Sequence, residues 1–261
     1  MNDPFAQHGI THLSPSSINQ FIMNPCKWVM SVAGYKDPFG NPAMWRGTAV
    51  DMAVERAVLN PQEPQRLITE YAKEQFLEMR FRAEDGGYFP SDRKLDQEKT
   101  NLESFTDTAV AYYRNLETPE DTQTKISVEL DFLPVPIIGY ADLVYKDSVR
   151  DLKTISPKLT YMPDSHSRQL SVYALALQKT PFVDYVYVTV SGKQEVRPMA
   201  VTNTEHHFEI VKKTARNMMK LLSVSESIEE VASLLMPDLD HWSFSLAREK
   251  EFARELWGIE R

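Results

Sequence analysis

Three charged residues on two short stretches have the types and spacing to do chemistry. Asp142 sits in the alternating run Ile138-Gly139-Tyr140-Ala141-Asp142-Leu143-Val144, and Asp151 and Lys153 stand two residues apart in Val149-Arg150-Asp151-Leu152-Lys153-Thr154. The stretch Pro136 to Thr154 reads as two strands joined by a tight turn at Lys146-Asp147-Ser148. Side chains alternate across a strand, so Ile138, Tyr140, Asp142 and Val144 share one face. In the second strand Val149, Asp151 and Lys153 share a face, with Arg150 and Leu152 on the other. A carboxylate in an apolar strand is costly to bury unless something pairs with it. The second carboxylate and the lysine are expected to face the first across the ladder. Such a set is either a metal-binding, phosphate-directed site or an unusually polar hairpin.

Just downstream, a helix beginning near Ser167 puts Gln169 and Tyr173 on one face at i, i+4. The ordered pattern G-Y-A-D, R-D-L-K-T, then Q-x-x-x-Y closely resembles the PD-(D/E)XK nuclease superfamily. Within it the chain is similar to the RecB-like branch, which includes exonucleases of recombination and repair and the CRISPR adaptation nucleases. D-x-K alone is a weak signal; the ordered set, on a strand and then a helix, carries the resemblance. It implies an α/β fold with a restriction-endonuclease-like αβββαβ core, a central mixed sheet flanked by helices, a helical N-terminal insertion and a helical C-terminal part.

The resemblance also implies roles. Asp142 and Asp151 would hold Mg²⁺ or Mn²⁺ with the main-chain carbonyl of Leu152, and Lys153 would orient or help deprotonate the attacking water. Glu129, in the alternating run Thr124 to Phe132, matches a glutamate that points into the site from the first strand. In the relatives a G-x-x-x-H motif supplies a metal-ligating histidine, and here Gly47 is followed at that spacing by Asp51, a carboxylate able to bind a hard divalent ion. Gln169 and Tyr173 would support the bound strand and the site geometry. The implied activity is metal-dependent hydrolysis of DNA, single-stranded or at ends, by an exonuclease of recombination, repair or replication, including a phage enzyme. A recombination or single-strand-binding protein is a candidate partner. A CRISPR adaptation-like nuclease, a structure-specific endonuclease and a catalytically silent DNA-end binder are the alternatives.

The remaining elements must position these residues. Residues 1–11 lack periodicity and read as a loose tail, whereas Ser14-Pro15 opens a helix that stops near Asn24-Pro25. The segment from Leu13 to Trp28 resembles the branch's N-terminal signature, in which iron-sulfur members carry a cluster cysteine. Cys26 is either its relic or a buried free cysteine. After a loop at Lys36 to Met44, a helix from Trp45 carries Val50, Val54 and Val58 on one stripe and Gly47, Asp51 and Glu55 beside it. Gln62 to Ala83 and Leu95 to Leu116 read as two helices whose basic residues either clamp a DNA strand or form solvated ion-paired faces. Strands are expected from Val183 to Val190 and from Val196 to Val201, with a turn at Ser191-Gly192-Lys193. Helices then cover Glu205 to Leu222, Ile228 to Leu235 and Ser245 to Trp257. One nuclease domain is therefore expected, with a helical region over 12–120, a catalytic core over 124–203 and C-terminal helices over 204–261.

The totals agree with this reading without carrying it. The 261 residues are 42% apolar and 25% charged, enough for a sizeable core. No apolar run is long enough to span a bilayer and no signal-peptide pattern is seen, so a soluble, cytoplasmic protein without membrane contact is expected. The single cysteine excludes an internal disulfide, a within-chain zinc cluster and a within-chain iron-sulfur cluster. The net charge of -8 argues against a coat-like DNA binder but not against a nuclease, whose acidic residues gather at the metal.

Overall fold

The hairpin forms where the alternation predicts it, with β2 over Ile137–Val144 and β3 over Ser148–Ile155, closed by Tyr145 N–H donating to the Ser148 carbonyl. The computed structural model describes residues 3–37, 39–155, 159–188 and 194–260. β1 (Asp121–Val128), β4 (Thr180–Val188) and β5 (Gln194–Ala200) complete a five-stranded sheet in the order β1-β2-β3-β4-β5. Neighbours are antiparallel except β3 and β4, which run parallel. A parallel step needs a crossover, and α7 (Asp164–Leu177) supplies it. This is the mixed sheet of a restriction-endonuclease-like α/β core.

Four consecutive helices begin with the same chemistry: α1 (Pro4–Gln7), α2 (Pro15–Met23), α3 (Pro25–Val32) and α4 (Pro42–Leu59) each start at a proline. The residue before each proline, Asp3, Ser14, Asn24 and Asn41 in turn, accepts a first-turn backbone N–H with its side chain. Proline loses nothing at this position because its missing donor would have no partner in the helix. α5 (Gln65–Asp85) and α6 (Asp92–Arg114) follow, and α8 (Thr204–Leu222), α9 (Ile228–Ser233) and α10 (Ala247–Trp257) close the chain.

The sheet lies between two apolar clusters. One joins Ile18 of α2, Trp28 of α3, Leu170 of α7 and Val211 of α8 to Ala141, Val149, Val183 and Tyr185 of the sheet. The other joins α4, α5 and α6 to Leu143, Leu152 and Val186. α5 and α6 thus share a core with the sheet. Of their basic residues, Lys73 pairs with Glu70 and Glu103, Arg80 with Glu84, and Arg82 with Glu78, which is the solvated, ion-paired alternative for those three.

Three expectations need correction. The N-terminal segment is not a loose tail: Phe5 is buried, and Leu13 bridges to Ile137 of β2, donating its N–H to Pro136 and accepting from Ile138. An eleven-residue stretch with one buried ring has too little periodicity to announce this. α4 starts at Pro42, inside the expected loop, because Asn41 caps it. β1 is shifted three residues upstream and ends at Val128, since the chain then turns, with Leu133 N–H donating to the Leu130 carbonyl. Leu130 and Phe132 keep the apolar alternation only because they pack on the same core from outside the strand. The turn expected at Ser191-Gly192-Lys193 lies outside the described residues.

Candidate active site

The site forms where two strands part. β2 and β3 are ladder-paired only at Leu143 with Arg150 and at Val144 with Val149, and the next pair along would be Asp142 with Asp151. Instead of continuing the ladder, the Asp142 carboxylate takes over the bonding: Oδ2 accepts the Leu152 N–H at 3.2 Å. On its other side Oδ1 accepts from the Gln123 amide at 3.4 Å, and Gln123 has a left-handed backbone with φ 48°. The expected facing of the two aspartates across a ladder is therefore replaced by a fork. Two carboxylates held opposite each other repel, and the fork leaves the Asp142 carboxylate to the Leu152 N–H and the Gln123 amide instead of a strand partner.

Asp151 is almost fully buried, yet both of its oxygens are engaged. Lys153 Nζ lies 2.7 Å from Oδ2, and Gln169 Nε2 donates to Oδ1 at 3.0 Å. Gln169 also donates to the Tyr173 hydroxyl at 3.0 Å, so the i, i+4 pair on α7 works as one bracket behind the aspartate. Burial, with Asp151 nearby, pushes the Tyr173 hydroxyl up to about 12. The Tyr173 ring lies against Gly139, where a β-carbon would come within 2.7 Å of Cε1. That close approach explains the glycine of the G-Y-A-D motif.

Asp51 reaches the same place from α4, on the layer opposite α7. Burial, then the charges of Asp142 and Asp151, push its carboxyl well above the usual carboxylate range, against the pull of Lys153. Asp142 is pushed up to about 7 by burial and by Asp151. Burial alone would push the Lys153 ammonium down, but Asp151, Asp142 and Asp51 hold it above its ordinary value. One buried and two half-buried acids thus share one ammonium. Asp51 Oδ1 is buried with no hydrogen-bond partner among the described residues. Hard oxygen donors, excess negative charge and an orphaned oxygen fit a divalent cation. As the side chains stand, Lys153 and Gln169 occupy the Asp151 oxygens, and among the described residues no three acids, histidines or cysteines are arranged to hold a metal.

The other residues singled out from the sequence fall as follows. Leu152 offers its N–H to Asp142 and buries its side chain in the α4–α6 core. Glu129 lies one residue beyond β1 and is exposed. Cys26 is a buried free cysteine, packed with Met30 and Phe244.

Several residues around the site escape a reading by motif. Arg46 donates to the Thr154 carbonyl at 3.1 Å, pairs with Glu98 of α6 and stacks on Phe105, tying α4 to β3 one residue beyond Lys153. Gly47 of α4 lies beside Thr154, whose Oγ1 an added β-carbon would meet at 3.5 Å, an ordinary contact. His166 of α7 shares a hydrogen bond of 2.8 Å with the Tyr185 hydroxyl, and Tyr185 is the register partner of Lys153. Burial, with Lys153 nearby, lowers the His166 pKa. Asp184 is wholly buried, with Arg150 Nη1 at 2.9 Å from Oδ1 and the Tyr113 hydroxyl donating to Oδ2 at 2.9 Å. The signal for Asp184 was present: it is an acid inside the apolar run Val183 to Val188, as Asp142 is in its own strand.

A family model for the PD-(D/E)XK nuclease superfamily matches residues 12–235, spanning α2, the strand fork and the Gln169 helix. The chain belongs to the PD-(D/E)XK nuclease superfamily. Nucleases of this superfamily generally use a divalent metal such as Mg²⁺, and their substrate is DNA. Among solved structures, the chain is similar to a Eubacterium rectale protein provisionally named an exonuclease, with a TM-score of 0.55 and 14% identity over 90% of this chain and 85% of that one. At that identity the likeness speaks for the fold. A second structure, that of SSO0001, superposes at a TM-score of 0.35 with 12% identity over 84% of this chain and 96% of that one, too loosely to argue from. No curated protein matches the sequence. Among the described residues no helix is long and apolar enough to cross a membrane.

Proposed function

We propose that the chain is a divalent-metal-dependent deoxyribonuclease that acts as an exonuclease on DNA single strands or ends, in recombination, repair or replication. The observation that carries this reading is the fork at Asp142 and Asp151, with Lys153 paired to Asp151 and Gln169 bracing it. Asp142, Asp151 and the Leu152 carbonyl would hold Mg²⁺ or Mn²⁺, with Asp51 as a further ligand in place of the relatives' histidine. When bound, the cation would neutralise phosphate charge and acidify a water. Lys153 would orient the attacking water and offset charge developing on the phosphate. Gln169 fixes the rotamer of Asp151, and Tyr173 backs Gln169 against Gly139.

The deciding assay uses strands labelled at the 5′ or 3′ end, single and double, beside closed circles, with Mg²⁺ or Mn²⁺. The expected result is progressive shortening of linear strands and intact circles, with all activity lost in EDTA. Nicked circles would give the endonuclease reading instead. Binding without cleavage of any form would give the silent end binder.

A further inference from the structure

We propose that Tyr140 and Lys125 form a stacking and phosphate-holding subsite that takes an unpaired nucleotide beside the Asp142 carboxylate. The inference rests on the nuclease reading and specifies the state in which the strand enters. Tyr140 belongs to β2, whose neighbours Gly139 and Ala141 are buried, yet its own ring is 53% exposed. Lys125 of β1 is its cross-strand register partner, is exposed, and forms no ion pair among the described residues. Both line a cleft of roughly 490 Å³ whose wall also includes His12, Ser14, Asp142 and Gln169. The ring and the carboxylate are two residues apart on one strand, about 6.7 Å by ordinary strand rise.

The occupant follows from the chemistry. An exposed aromatic face beside an unpaired cation suits a nucleobase and its phosphate, because every base has a π-face and every nucleotide a negative charge. In a chain of net charge -8, a cation left free of acidic partners next to the acidic cluster is available to a phosphate. A base inside a duplex is already stacked on both sides and cannot reach the ring. The subsite therefore admits a single strand or a frayed end, and it places the phosphate adjoining the stacked base near Asp142.

The test measures binding of a fluorescent oligonucleotide in Ca²⁺, by anisotropy, in three forms: a single strand, the same strand with its terminal base removed, and a blunt duplex. The expected result is that Tyr140→Ala weakens single-strand binding by about 5- to 100-fold while Tyr140→Phe keeps it. Removing the terminal base should weaken wild type and leave Tyr140→Ala no weaker than before. Lys125→Ala should lower the salt slope of single-strand binding by about 0.7, and duplex binding should be indifferent to Tyr140. Because the ring is half exposed, circular dichroism should report an unchanged fold. Tyr140→Ala binding the intact strand as wild type does, or losing equally on intact and base-less strands, would overturn the subsite and leave the nuclease reading standing. Wild type that binds no DNA form would overturn both.

Discussion

Lys153 Nζ lies 2.7 Å from Asp151 Oδ2, and this single ammonium is shared electrostatically by three acids drawn from β2, β3 and α4. The two-residue step along β3 aims both side chains at one point while Leu152 between them faces the opposite core. Charge balance, rather than packing, is what the lysine contributes.

Lys153→Ala should therefore fold and still bind DNA in Ca²⁺, since binding rests on many spread phosphate contacts. Cleavage in Mg²⁺ should fall by roughly a hundredfold or more, the usual scale for a positioned acid-base or electrostatic group. Single-turnover rates alongside anisotropy separate the two effects. Normal cleavage would remove Lys153 from the chemistry.

The raised carboxyls give the metal-free protein a pH signature. Asp142, near 7, and Asp51, also raised, favour the folded state in their protonated forms. That contribution is complete below the unfolded carboxyl range near pH 4 and is lost as pH rises through 7. The melting temperature in EDTA should accordingly drop between pH 4 and 7.5. Added Mg²⁺ or Mn²⁺ should restore it, more strongly at the upper end because the acids must be ionised to bind. A flat EDTA profile would show that the acids do not repel.

Asp51→Asn removes one charge from the cluster at nearly constant volume. Its melting temperature in EDTA at pH 7.5 should rise, and its apparent affinity for Mn²⁺ by thermal shift should fall. Asp51→His should recover part of the metal-dependent activity that Asp51→Ala loses. Unchanged metal titration in Asp51→Asn and Asp51→Ala would make Asp51 structural.

Beneath the site, Arg150 and Asp184 form a buried pair, completed by the Tyr113 hydroxyl. Arg150→Met leaves Asp184 without its cation in the interior, a change that costs about 3 to 5 kcal/mol. The double variant Arg150→Met with Asp184→Leu should regain much of that stability. Urea titrations of wild type and the two variants check it.

The residues legible in the sequence were those whose position follows from period alone. Asp151 with Lys153 and Gln169 with Tyr173 stand at two- and four-residue spacings within single elements, so alternation and helical repeat put each pair on one face, and alternation likewise gave the face of Asp142. What depends on how elements meet was not legible. That β2 and β3 part at Asp142, and that α4 brings Asp51 to the gap, are tertiary facts with no local sign. The far end of β1 misled because Leu130 and Phe132 extend an apolar alternation past the last paired residue, Val128. The first capped proline was legible in principle, since Asp3-Pro4 has the same form as Ser14-Pro15, but a four-residue helix is too short for periodicity to support.

The parting of β2 from β3 also frees the edge of β2 farther along, and at Ile137 the amino-terminal segment lies against it. Leu13 bonds to Pro136 and Ile138 on the edge of β2 that β3 has vacated, and Phe5 packs into the core behind it. The segment through Leu13 thus acts as a plug for an internal edge, joined to the same strand that carries Asp142. A shortened protein beginning after Leu13 would bare those backbone groups to any other extended chain, so loss of activity on trimming would come with self-association.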